Sequence, residues 1–129
     1  MKEKIIIGLS SLFSLGLIIG ALSYGGDSGT SGSSDNIRDE NGVQIVRVFA
    51  RGGYSPRRTL AKAGVPTKIE IETKGTYDCS SALVIPSIGY REFLEPTGVT
   101  TIDIKTQTAG SVVRGLCAMG MYSFEVGFE

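Results

Sequence analysis

Histidine is absent from this 129-residue sequence, and its absence removes whole classes of chemistry. Neither a Ser-His-Asp triad nor a Cys-His pair can be assembled. Zinc hydrolase sites that rest on imidazole ligands are excluded. So are blue-copper electron-transfer sites, which need two imidazoles and a thiolate. No obvious general base is poised near neutral pH, so an enzyme is not expected. A basic excess is also missing: 13 Lys and Arg balance 13 Asp and Glu, for a formal net charge of zero. Nucleic-acid binders neutralise phosphates with surplus cations, so no nucleic-acid partner is expected. Arg57 and Arg58, the adjacent basic pair of the folded part, read as a solvated strand face. Internal repeats are absent, and after residue 42 no window shows the apolar spacing of an amphipathic helix.

What is present divides the chain into three parts. Lys2 and Lys4 precede an uncharged run from Ile5 to Leu22, IIIGLSSLFSLGLIIGAL. Such a run makes about 27 Å of helix at 1.5 Å per residue, close to a bilayer's hydrocarbon thickness. Residues 1–22 are therefore expected to form an N-terminal transmembrane anchor or signal helix. The lysines place its start on the cytoplasmic side, so the remainder of the chain is expected outside the cytosol. Its length favours a retained, single-pass anchor. Ala21-Leu22-Ser23 also fits a cleavage site, which leaves a secreted or periplasmic form open. No cysteine ends the run, so a lipoprotein is excluded. Residues 23–41, rich in Gly, Ser and acidic side chains, read as a flexible linker.

Residues 42–129 read as one domain, of a size that can fold alone around a modest core. Short apolar runs are cut by Gly and Pro every 8 to 12 residues or so, the pattern of an all-β sandwich or barrel. Val43 to Ala50 is rich in β-branched residues, and Arg58 to Ala61 forms a short strand. Lys68 to Glu72, Thr100 to Lys105 and Tyr122 to Phe128 alternate apolar and polar residues. That period puts Ile69, Ile71, Ile102, Ile104, Phe124, Val126 and Phe128 inside. Ala82 to Ile85, Tyr90 to Leu94 and Ser111 to Leu116 complete seven or eight strands of a Greek-key β-sandwich.

Apart from the initiator Met1, all sulfur lies at Cys79, Cys117, Met119 and Met121. Methionine in a small domain is usually core filler. Here two methionines at spacing two share a connection between strands with a cysteine and a glycine. An all-sulfur donor set is soft and selects Cu(I) over zinc, iron or calcium. Fully extended, Cys117 and Met121 would lie about 13 Å apart at 3.3 Å per residue. Metal–sulfur bonds of about 2.3 Å cannot span that gap, so the chain must turn within Ala118-Met119-Gly120. Gly120 can supply the positive φ. The cysteines admit another use. Outside the cytosol such a pair often closes a disulfide between sheets, worth about 3 to 4 kcal/mol for a loop of about 38 residues. A disulfide-stapled interaction module, a metal site, and a site that releases copper on oxidation all remain open at this point.

Several short stretches carry a resemblance. Gly53-Tyr54-Ser55-Pro56, Ala63-Gly64-Val65-Pro66, Cys79-Ser80, Leu83-Val84-Ile85-Pro86 and Cys117-Ala118-Met119-Gly120-Met121 resemble the cupredoxin-like (plastocyanin-like) domains of bacterial envelope and copper-transport proteins. The resemblance covers about Gly42 to Glu129. It implies that Cys79 stands where the first histidine ligand comes, and Cys117 at the family's cysteine. Met119 and Met121 stand in the loop that supplies a histidine and an axial methionine. Sulfur in place of imidazole argues against electron transfer, since two thiolates with thioethers hold Cu(I) too firmly to cycle. An electron-transfer protein with an unusual copper site is the remaining rival within the family. The expected role is copper capture, buffering or transfer beside a membrane, with the copper ion and a copper transporter or another copper protein as partners.

Overall fold

The computed structural model describes residues 32–129. The expected anchor over 1–22, and the linker up to residue 31, lie outside the described residues. Among the described residues no helix is long and apolar enough to cross a membrane.

Ten strands succeed one another in chain order among these residues: β1 Ile37–Glu40, β2 Val43–Ala50, β3 Tyr54–Ser55, β4 Arg58–Ala61, β5 Thr67–Thr73, β6 Ala82–Ile85, β7 Tyr90–Phe93, β8 Gly98–Ile104, β9 Val112–Cys117 and β10 Ser123–Phe128. Short 3-10 turns, Cys79–Ser81 and Pro86–Ile88, flank β6. The strands form two five-stranded sheets. One runs β1-β2-β5-β8 with β3 on β2, the other β4-β10-β9-β6-β7. The β2–β5 and β4–β10 pairs are parallel.

Alternation decides which face of each strand is buried. In β5 the odd positions Thr67, Ile69, Ile71 and Thr73 are buried, and in β10 Phe124, Val126 and Phe128 are. Val46, Val48, Ile69, Ile71, Ile102 and Ile104 from the first sheet meet Leu83, Ile85, Val113, Phe124, Val126 and Phe128 from the second in one apolar cluster. Those of β5, β8 and β10 are the residues whose period marks them as inward-facing in the sequence. Cys117 ends β9 on the same inward face as Val113 and is fully buried.

The folded part begins earlier than residue 42. β1 lies inside the segment expected to be linker and pairs antiparallel with β2, Ile37 opposite Val46 through Glu40 opposite Val43. Three of its four residues are exposed, so hydrophobic pattern could not reveal it. Polar contacts hold it instead. Asn36 donates to the carbonyl of Arg47 at 2.8 Å and to Thr59 Oγ1 at 2.9 Å. Arg38 grips Glu70 with both terminal nitrogens at 2.7 and 2.8 Å. The turn between β1 and β2 is Asn41-Gly42, both at positive φ (51° and 82°). That dipeptide is the strongest local hairpin signal a sequence can carry, because both central residues of the tight turn need left-handed backbone.

Candidate metal centre

Three connections meet at one end of the two sheets. The first links β5 to β6 and carries Cys79. Asp78 caps its 3-10 turn, accepting from the amide of Ser80 at 2.7 Å and from the Ser80 hydroxyl. The second carboxylate oxygen of Asp78 accepts from the amide of Gly52, 2.8 Å away in the β2–β3 connection. These donors, the Ser80 hydroxyl foremost, hold the Asp78 carboxyl below the usual carboxylate range. Tyr54, itself buried, donates its hydroxyl to the carbonyl of Ser80 at 3.0 Å. Burial, and behind it the nearby cysteines and Asp78, push that phenol far above its ordinary value, so it stays a donor. Cys79 is thus fixed from both sides by its neighbours.

The remaining connection is the β9–β10 loop. Gly120 N–H donates to the carbonyl of Cys117 at 2.8 Å and Gly120 has φ 74°. The chain therefore turns within Ala118-Met119-Gly120, as copper ligation from this loop requires. The amide of Ala118 donates to the carbonyl of Ala82 at 2.8 Å, and Cys117 lies opposite Leu83 in the β6–β9 ladder. That ladder is what brings Cys117 beside Cys79.

Both cysteines are free thiols, near enough for each to shift the other's ionisation. The contact with Cys117 raises the proton affinity of Cys79. Burial pushes Cys117 up, but the Cys79 side chain and the amides of Tyr122, Met119 and Met121 outweigh it, and its thiol lies below the usual value. The amide of Tyr122 sits 3.4 Å from Cys117 Sγ. Two neighbouring thiols, one of them accepting a backbone N–H, suit a site that gives up its protons for a cation.

The methionines are placed differently. Their main chains reach the cysteine sulfurs, whereas their side chains stand exposed at the mouth, Met119 at 77% and Met121 at 66% of full exposure. Exposure of two large apolar side chains has a cost. Any thioether ligation must draw them in from solvent. Among the described residues no group of three or more His, Cys, Asp or Glu side chains gathers in metal-binding reach. A metal held at this site by more than the two thiols would take its other side-chain donors from the methionines, which fits a soft monovalent ion and not zinc or calcium.

Neither Asp78 nor Tyr54 stood among the candidate site residues of the sequence. An Asp two residues before a Ser, at the head of a turn, is the pattern of a side chain capping its own backbone, so Asp78 was within reach. Tyr54 stands in the Gly53-Tyr54-Ser55-Pro56 stretch of the resemblance, but nothing local marks it as a donor to Ser80, which is distant in sequence.

The profile of the cupredoxin-like domain matches residues 28–125. The chain belongs to the cupredoxin-like domain family. A search of curated protein sequences finds no match. Among solved structures, the chain is similar to an apo-form copper binding protein determined by solution NMR, with 26% identity, TM-score 0.65, and coverage of 75% of this chain and 98% of that one. It also shares its fold with the metal binding domain of the Cu(I) exporting P-type ATPase CopA of Streptococcus pneumoniae D39, crystallised with Cu(I). There the identity is 22% and the TM-score 0.64, over 72% of this chain and 92% of that domain. The family match begins at residue 28, in keeping with the ordered β1 and against a folded part that starts at 42.

Proposed function

We propose that this cupredoxin-like domain binds Cu(I) between Cys79 and Cys117, with Met119 and Met121 supplying thioethers from the mouth. The observation that carries the reading is the meeting of two reduced thiols from distant loops beneath an exposed pair of methionines. Two thiolates alone satisfy a linear Cu(I). Weaker thioether donors at the surface offer an incoming or outgoing ion a first and last foothold. Support also comes from the similarity to an apo copper binding protein. Copper here is cargo, captured, buffered and passed on without a catalytic step. The uncharged run Ile5 to Leu22 would tether the domain outside the cytosol, where a copper transporter or another copper protein exchanges the ion.

X-ray absorption at the copper edge of the anaerobically loaded protein tests the ligand set. Sulfur-only coordination is expected; a shell dominated by nitrogen or oxygen would refute it. The nearness of the thiols also favours a second reading, a disulfide joining the turn before β6 to the end of β9. Protein isolated without reductant would then be lighter by two hydrogens and unable to take up copper until reduced.

A further inference from the structure

Beside the sulfur loop the surface is hollowed. A cleft of about 430 Å³ lies against the β2–β3 connection and the start of β10, with Arg51, Ser55, Arg57, Met121 and Tyr122 in its walls. Its charged lining is of one sign, for no carboxylate belongs to it. Asp78 abuts the cleft through the amide of the lining residue Gly52, and its oxygens are engaged by that amide and by Ser80. On the sheet faces Arg38 is matched with Glu70, Arg47 with Glu72 and Arg58 with Glu125, while Arg91 of β7 and Arg114 of β9 stand singly on exposed strand faces with no cleft beside them that holds a second arginine. Arg57 and Arg58 are thereby split, Arg58 going to Glu125 and Arg57 to the cleft. Neither Arg51 nor Arg57 has an ionic partner among the described residues.

Two unmatched guanidiniums in a concavity of this size recognise carboxylates of a small molecule. The third wall is Met121, so whatever sits there touches a proposed copper ligand. Cu(I) as cargo must travel on a soft donor. A small thiol bearing carboxylates meets both demands, its sulfur carrying the metal and its carboxylates matching the arginines.

We infer that the cleft receives such an anionic thiol complex of Cu(I) and holds it against Met121 while the ion passes to the cysteines; this rests on the Cu(I)-binding reading above. In the exchange, two donor thiolates leave copper as Cys79 and Cys117 bind it. Each leaving thiolate takes up the proton that a cysteine gives up, and copper stays Cu(I), so no oxidant or reductant is needed.

The test is anaerobic stopped-flow transfer of Cu(I) to the full chain from two thiol donors, glutathione, which carries carboxylates, and 2-mercaptoethanol, which carries none. In Arg51→Gln/Arg57→Gln, uptake from the glutathione complex should slow about tenfold or more and lose most of its dependence on ionic strength. Uptake from the carboxylate-free donor and equilibrium Cu(I) affinity should stay nearly unchanged, and Arg47→Gln should match wild type with both donors. Equal slowing with both donors, or none with glutathione, overturns the inference while leaving copper binding intact. A wild-type chain that takes copper from neither donor overturns the Cu(I)-binding reading, and this inference with it.

Discussion

Gly115→Ala should destabilise the domain through a single clash. Gly115 lies on the inward face of β9, directly opposite Phe124 of β10. A Cβ at this position would enter the Phe124 ring. The ring cannot step aside: it is 1% exposed, and it meets Tyr54 edge-on, with centroids 5.1 Å apart and planes at 64°. Cores are packed too densely to absorb a methyl without displacing side chains, at about 1–3 kcal/mol. Replacing Gly by Ala in a strand returns about 0.5–1 kcal/mol of backbone entropy. A Cβ inside a ring that cannot yield takes the upper half of that cost, and the net loss of about 1–2.5 kcal/mol corresponds to a fall in Tm of about 4–20 °C for a domain of this size. Thermal unfolding of the reduced apoprotein by circular dichroism reads it. In a Phe124→Leu background the same substitution should cost less, because the smaller side chain vacates the space, and a double-mutant cycle isolates that coupling. An unchanged or higher Tm in Gly115→Ala, or an equal cost in both backgrounds, refutes the clash.

Other outcomes rest on the same geometry. Gly120→Ala meets no neighbour, but its φ of 74° costs a side chain about 1 kcal/mol, to be seen as a lowered urea midpoint. Met119→Leu and Met121→Leu should each weaken Cu(I) affinity without abolishing it, and the double variant should weaken it further, as read by chelator competition. Glu70 is held below its usual range by its hydrogen bond to Arg38. A depressed carboxylate stabilises the fold above its unfolded pKa, about 4.3, and loses that contribution as pH falls through its folded value. Arg38→Gln should therefore lower stability at neutral pH and converge on wild type in acid, as read by urea unfolding across pH. Because Arg38 is partly exposed the gap should be small and shrink further in high salt.

Alternation carried much of the fold. The stretches 68–72, 100–105 and 122–128 show period-two patterning and appear as β5, β8 and β10. β1 was hidden because its side chains face solvent and its hold on the fold is polar. Its one legible sign was Asn41-Gly42, easily taken for the end of a Gly-rich linker. At the site, Gly120 announced the turn, since little else tolerates its backbone. The meeting of Cys79 with Cys117 was not legible from spacing, because it depends on the β6–β9 register and on the Ala118–Ala82 hydrogen bond. Nor could sequence tell that the methionine side chains would stand outside while their amides face the sulfurs. Main-chain direction in a turn depends on the closed loop.

An anaerobic Cu(I) titration of the reduced full chain against a coloured chelator of known affinity tests the central claim most directly. Withdrawal of copper by the wild type, lost in both Cys79→Ser and Cys117→Ser, is the predicted result. A chain that leaves the chelator's colour untouched, or cysteine variants that compete as well as wild type, would contradict it.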